Sequence, residues 1–272
     1  MSAGFTFTCD VEDHRPHGAA PLRFPDATRR ILEWLVERDI SGTFFVVGVE
    51  ALAHPRLVAD IAAAGQEVAL HGHRHVPLRE LSPDELAADL DAGRKVLEDA
   101  AQRPVTGFRA PQFSLTAEVP WSHEVIAAAG FTYSSSVLPA SSPLFGYPEA
   151  PATPFRWPSG LVEFTPPLIS VGGARVPVGG VYLRVLPWSV IRRTLTDQSG
   201  HPAPWMYFHP YDFDPHEPFH VVRDANPLFS PLQWIGRRGA FARTAAVLGD
   251  RPGAPLCERV SEVADAAVFT PR

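Results

Sequence analysis

The chain predicts an α/β fold built on a parallel sheet, and three observations carry that expectation. Short apolar runs rich in β-branched and aromatic residues alternate with stretches of helical periodicity. Capping residues, Pro and Gly fall between them where strand–helix units would begin and end. Asp10, His71, Arg109 and His209 each come at or just after the C-terminal end of an apolar run, the edge where parallel α/β folds place their chemistry. With right-handed crossovers, such a sheet is either open and doubly wound or closed into a barrel.

Residues 4–9 read as the first strand. The helix that follows takes Asp26 as its N-cap and repeats Ile31, Leu32, Leu35 and Val36 at helical spacing. Residues 43–47 are the second strand. A helix over 55–64 stops at Gly65, and strand 67–70 runs straight into HGHRH. Ser82, with Pro83 at the first helical position and Asp84 and Glu85 behind it, opens the clearest helix of the chain, reaching Ala101. Strand 105–108 delivers RAPQFS, and a helix over 117–129 ends at Gly130 before strand 131–133. From about 139 to 180 the chain turns loop-rich in Pro, Ser and Gly; 29 prolines in 272 residues is about twice the usual share of ~5%. Residues 161–164 and 181–183 still read as short strands there, and 187–195 as a helix. Strand 205–208 ends in HPYD, and a helix over 232–248 and a strand at 267–269 follow. No linker divides the chain, so residues 1–272 read as one domain with an elaborated Pro-rich rim.

Composition excludes several function classes. Apolar residues make up 45% and charged residues 20%, the balance of a globular domain rather than a disordered or coiled-coil chain. No apolar run approaches the ~18 residues of a membrane span. A net charge of −6, from 30 acidic and 24 basic residues, leaves no footprint for nucleic acid. Cys9 and Cys257 sit at opposite ends, which rules out a disulfide framework or a clustered thiolate site. The opening MSAGFTFTCD enters a strand without an export signal, so the expected location is the cytoplasm.

Four segments carry chemistry. CDVEDH gathers Asp10, Glu12 and Asp13 at a strand end, where mutual repulsion calls for a cation or a shared proton; an acidic surface turn would read the same way. In HGHRH, His71 and His75 are four apart, which predicts two imidazoles on one face of a helical turn, as in zinc-binding helices; His73 points elsewhere. One carboxylate with two histidines is an open ligand set that leaves positions for water and substrate. RAPQF sets Arg109 beside Pro111 near the same rim, placed to hold a carboxylate. In YFHPYD, His209 follows a buried strand; it is either a core histidine or a general acid tuned by Asp212. His14 and His17 lie close enough to the acidic cluster to line a site. GxSxG, Walker A and GxGxxG are absent, against serine hydrolase, NTPase and dinucleotide chemistry.

Taken together and in order, these motifs resemble the polysaccharide deacetylase family (NodB homology, carbohydrate esterase family four). The likeness is greatest to a subgroup linked to exopolysaccharide clusters, through DVEDH, RAPQFS, GYPEAPATPF, PVGG from Pro177 to Gly180, and HPYD. The resemblance implies a distorted (β/α)7 barrel. It implies Asp10 as general base, Arg109 as the group orienting it, His209 as general acid, and His71 and His75 as ligands of a divalent metal ion. The expected ion is zinc, with cobalt, nickel or iron also accommodated. The third ligand is Asp13 by residue type or Glu12 by spacing, and the reading leans to Asp13. The Gln112 backbone N–H would bind the oxyanion. His14, Gly72, Gln112 and Ser134 depart from the residues usual in the family, and none removes a catalytic group.

The activity implied is N-deacetylation of an amino sugar or glycan precursor, with Phe145, Tyr147, Trp157 and Tyr182 as candidate sugar-stacking residues. The alternatives are hydrolysis of non-sugar linear or cyclic amides on the same fold, and a catalytically silent carbohydrate-binding relative. No nucleic acid partner is expected, and the oligomeric state is open.

Overall fold

The computed structural model describes residues 4–15, 19–142, 145–197, 200–221 and 227–271. The strands are β1 (Thr6–Val11), β2 (Gly42–Val46), β3 (Glu67–Leu70), β4 (Gly107–Phe108), β5 (Tyr133–Ser134), β6 (Phe155–Arg156), β7 (Val162–Glu163), β8 (Leu168–Val171), β9 (Ala174–Pro177) and β10 (Trp205–Phe208). The helices are α1 (Phe24–Val36), α2 (Gly48–Ala53), α3 (Pro55–Ala63), α4 (Pro83–Ala101), α5 (Ser122–Ala128), α6 (Gly180–Val185), α7 (Trp188–Asp197), α8 (Ala240–Leu248) and α9 (Leu256–Arg259).

Eight strands form one curled sheet in the order β10-β1-β2-β3-β4-β5-β7-β6. All its pairings are parallel except β6 with β7, so seven strands run in one direction, the number the family resemblance implied. The ring stays open between β10 and β6, which makes it a half-barrel. β1 and β2 are buried at every position, the signature of strands covered on both faces. Phe7, Phe44, Phe208 and Phe213 pack together beneath them. On α1, Ile31, Leu32 and Leu35 are buried on one stripe, while Val36, read with them, is exposed at the end of the helix.

Local signals explain where several elements start. Ser82 accepts a hydrogen bond from the Glu85 N–H while the Glu85 side chain accepts one from the Ser82 N–H, the reciprocal box expected at the head of α4. Helix α1 begins earlier than Asp26 suggested: Arg23 is the cap residue, without a side-chain cap bond, and Pro25 supplies the preset φ of the first turn.

The segment 139–180 is more than a rim. It contributes β6 and β7 to the main sheet and folds β8 and β9 into a separate antiparallel hairpin. Residues 181–183, read as a strand, belong to helix α6 because the preceding PVGG turn redirects the chain. Gly179 has φ +138, and a Cβ there would stand 2.1 Å from the Tyr207 carbonyl oxygen, so only glycine lets this turn close on β10. The helix read over 232–248 is split: 3-10 turns precede α8, with Pro231 inside the first of them. The strand read at 267–269 is reduced to one bridge between Arg156 and Val268.

Candidate active site

The parallel strands bring the candidate residues to one end of the sheet. Asp10 lies one residue before the end of β1, His71 directly after β3, Arg109 directly after β4 and His209 directly after β10. Together with Glu12, His75 and Gln112 they surround or underlie a single cavity of about 370 Å³. Arg109 lies behind Asp10, outside the cavity lining.

Arg109 is completely buried, its guanidinium carbon 3.9 Å from the Phe45 ring centre and 4.3 Å from that of Trp205. A buried cation needs partners. Nη1 donates to Asp10 Oδ1 at 2.5 Å and Thr8 Oγ1 at 3.0 Å, and Nη2 donates to Ser135 Oγ at 3.0 Å. This leaves Asp10 Oδ2 turned towards His71 Nε2, 3.6 Å away.

His71 and His75 do converge, with ring centres 5.0 Å apart, but not on a helical turn. Residues 71–77 form a loop in which Gly72 has φ +71 and His75 has φ +56. Buried Asp89 on α4 shapes this loop by accepting from the His73 N–H at 2.6 Å and the Arg74 N–H at 3.3 Å. Glycine at 72 suits both the left-handed φ and the tight approach of Pro111, whose Cγ would lie 3.3 Å from a Cβ.

The acidic cluster divides. Glu12 sends Oε2 to His75 Nε2 at 2.6 Å and Oε1 to His209 Nε2 at 3.3 Å. Asp13 turns away and takes the Arg15 guanidinium through both oxygens, at 2.9 and 2.8 Å. Glu12 therefore replaces Asp13 as the carboxylate grouped with the histidines: donor atoms of Glu12, His71 and His75 lie within 4.8 Å of one another. Alternation along the chain accounts for the choice, since residues two apart in an extended segment share a side and β1 puts Asp10 on the cavity side.

The donor set suits a divalent metal ion. His71 Nδ1 donates to the Arg109 carbonyl at 3.0 Å, which fixes the tautomer and leaves the Nε2 lone pair free, the second-shell arrangement typical of metal-bound imidazoles. Burial lowers the His71 imidazole to about 4, so it is neutral at physiological pH. For Glu12, burial works against charge, but His75 and His209 outweigh it and hold the carboxyl well below its usual range. Two imidazoles and one carboxylate leave coordination positions open.

Next to Glu12, burial would lower His209, yet the carboxylates of Asp212 and Glu12 outweigh it and raise the imidazole to about 10. Asp212 Oδ2 accepts the His209 backbone N–H at 2.8 Å and stands 3.7 Å from Nδ1. The Tyr211 ring stacks on His209 at 4.7 Å.

Residues 13–134 match the polysaccharide deacetylase family, and residues 135–252 match a domain of unknown function, DUF3473. The first half of the chain thus carries a polysaccharide deacetylase domain. Among curated relatives, chitin deacetylase 1 of Cryptococcus neoformans var. grubii is 31% identical over 84 residues, covering 31% of this chain and 18% of that protein. A chitooligosaccharide deacetylase of Bradyrhizobium sp. is 31% identical over 106 residues, covering 39% of this chain and 46% of its own length. The matches thus span less than half of these relatives. The fold is that of a proposed polysaccharide deacetylase from Mycobacterium smegmatis, with TM-score 0.66, 22% identity and coverage of 98% of this chain and 92% of that one. It is also that of a pseudoenzyme of the esterase family from Bacillus anthracis, with TM-score 0.55, 16% identity and coverage of 98% and 67%. The fold of this deacetylase family therefore leaves activity undecided, and the side chains at the cavity must decide it.

Several contributors to the site escaped the sequence reading. Arg184 pairs with Asp212, Ser135 grips Arg109, and Tyr207, Gln233 and Arg15 line the cavity. All are long-range partners without a local motif; only the serine run after β5 marked Ser135. Phe145 and Tyr182 do reach the cavity, but Tyr147 and Trp157 do not: they pack in a buried aromatic cluster with Phe155 and Phe269. His14 lines the cavity and pairs with Glu217 at 3.1 Å, while His17 lies outside the described residues. Gln112 reaches the cavity from a turn where it and Phe113 both have φ +57. Among the described residues, no helix is long and apolar enough to cross a membrane.

Proposed function

We propose that the protein is a metal-dependent N-deacetylase that removes the acetyl group from an N-acetylated amino sugar or glycan precursor. One observation carries this reading: a carboxylate tied to a buried arginine, the three-donor group of Glu12, His71 and His75, and the His209 imidazole between the carboxylates of Glu12 and Asp212 all meet at one cavity of about 370 Å³.

Glu12, His71 and His75 would hold the ion, and their two nitrogens and one oxygen donor favour zinc. What a divalent ion supplies when bound there is Lewis acidity towards a carbonyl oxygen and towards water. The chain supplies the rest. Asp10, its other oxygen fixed by Arg109, accepts the proton of the attacking water at Oδ2. The Gln112 backbone N–H steadies the oxyanion as the amide carbon becomes tetrahedral. His209 gives its proton to the departing amine as the C–N bond breaks, and the products are acetate and the free amino sugar. Phe145, Tyr182 and Tyr207 offer apolar ring surface for the sugar.

The test is acetate and free-amine release from N-acetylglucosamine oligomers by zinc-loaded protein. Equimolar acetate and amine are expected. Stoichiometric zinc without release from these or simpler N-acetylated sugars would sink the reading.

A further inference from the structure

Asp212 is 1% exposed, and the Arg184 side chain that meets it is fully buried. From this pair we infer that Arg184 is a positioning residue for His209, acting through Asp212. The inference rests on the reading of His209 as the proton donor.

The two oxygens of Asp212 are divided between two tasks. Oδ1 takes Arg184, with Nε at 3.0 Å and Nη2 at 2.8 Å. Oδ2 takes His209, accepting its backbone N–H at 2.8 Å and facing Nδ1 at 3.7 Å. An unpaired carboxylate at this depth would be costly and would turn towards any available donor or water. With Arg184 in place, Oδ1 is occupied and Oδ2 is aimed at the imidazole.

Arg184 is itself held from two directions. It sits on α6, which begins at the PVGG turn; there the Tyr207 N–H donates to the Val178 carbonyl at 3.2 Å and Gly179 closes on the Tyr207 carbonyl. Tyr207 belongs to β10, the strand that ends one residue before His209, so the clamp and the imidazole share one rigid base. The Arg184 Nη1 also donates to the Ile235 carbonyl, beside Gln233 of the cavity wall. A buried ion pair adds little stability compared with well-packed apolar side chains. Oδ2 also caps the 3-10 turn after β10 through the His209 backbone N–H, so what separates a positioning role from a structural one is the effect on the imidazole itself.

The experiment compares zinc-loaded wild type, Arg184→Gln, Arg184→Lys, His209→Ala and the Arg184→Gln/His209→Ala double variant on N-acetylglucosamine oligomers. The kcat of Arg184→Gln should fall about 30-fold or more, no further than the roughly 100- to 10,000-fold loss on removing the acid itself. Its KM should stay within about threefold, and Arg184→Lys should recover part of the rate. In the His209→Ala background, Arg184→Gln should change kcat by less than about twofold, because nothing remains to position. An equal loss in both backgrounds overturns the inference.

A crystal structure of Arg184→Gln adds a readout independent of turnover: the His209 ring should leave its place beside Asp212, and a ring that stays put also overturns the inference. Wild type that binds zinc but releases no acetate defeats the deacetylase reading alone, while the ring position still decides the role of Arg184. If neither Arg184 variant folds, the residue belongs to the core and the inference falls.

Discussion

Two histidines that line one cavity, His71 with 2% and His209 with 13% of the side chain exposed, end in opposite states. His71, on the wall built by the first half of the chain, spends Nδ1–H on the Arg109 carbonyl, and desolvation lowers it to about 4. His209, on the wall built by residues 135–252, meets the carboxylates of Asp212 and Glu12, which outweigh desolvation and raise it to about 10. A neutral imidazole with a free lone pair suits a metal ligand; a protonated one suits a proton donor. Burial does not choose between these roles. The choice lies in whether the second nitrogen meets a carbonyl or a carboxylate. The DUF3473 segment is therefore no appendage to the deacetylase segment: it contributes β10, β7 and β6 to the shared sheet and brings His209 to the shared cavity.

The contrast breaks most severely on the metal side. A chelator, or His75→Ala, should remove the bound ion and cost several kcal/mol of transition-state stabilisation, on the order of 1,000-fold in rate. Metal content and acetate release, measured on one preparation, check this; a His75→Ala protein that keeps its ion and its rate dissolves the metal wall altogether. His209→Ala should lower kcat roughly 100- to 10,000-fold while leaving metal content at the wild-type level, which separates the two walls experimentally.

Smaller effects sharpen the picture. Ser135→Ala removes one of the hydrogen bonds from the buried Arg109 and should cost about 1.5–3 kcal/mol, visible as a lower denaturation midpoint, with a partial loss of rate as Asp10 loosens.

The smallest effect lies far from the cavity. Burial raises the Glu67 carboxyl above its ordinary value of 4.5, so the fold prefers its protonated form. Its contribution to stability is then fully present below that value and lost as the pH rises through the raised folded value. Glu67→Gln, which mimics the neutral acid, should lose less stability than wild type as the pH rises above 4.5 in urea unfolding. An identical pH slope for the two proteins would show that Glu67 is charged in the fold.

Several elements were legible because their causes are local. The Ser82 box, Pro83 and the first-turn acids set the head of α4 within four residues. Apolar runs marked β1, β2, β3 and β10, and the polar residues at the ends of β1, β3 and β10 pointed to the cavity rim. The HGHRH spacing foretold a convergence that the fold achieves by another route, since left-handed residues and Asp89 do the work assigned to a helical turn. The split of the region read as one helix over 232–248 was less legible, because an apolar pattern does not report 3-10 turns on either side of a left-handed Gly236.

By itself, the sequence determined the parallel α/β class, the order of the main elements and the identities of Asp10, His71, His75, Arg109 and His209 as a set. Each of those depends on neighbours a few residues away, through periodicity, caps and strand ends. Only the tertiary structure decided that Glu12 rather than Asp13 faces the histidines, that Arg184 clamps Asp212, and that Tyr147 and Trp157 belong to the core rather than the cavity. Those outcomes depend on which way a side chain turns and on what another segment presents to it. Chain spacing does not encode such encounters; they arise only when the sheet curls and brings β1, β3, β4 and β10 to a common rim.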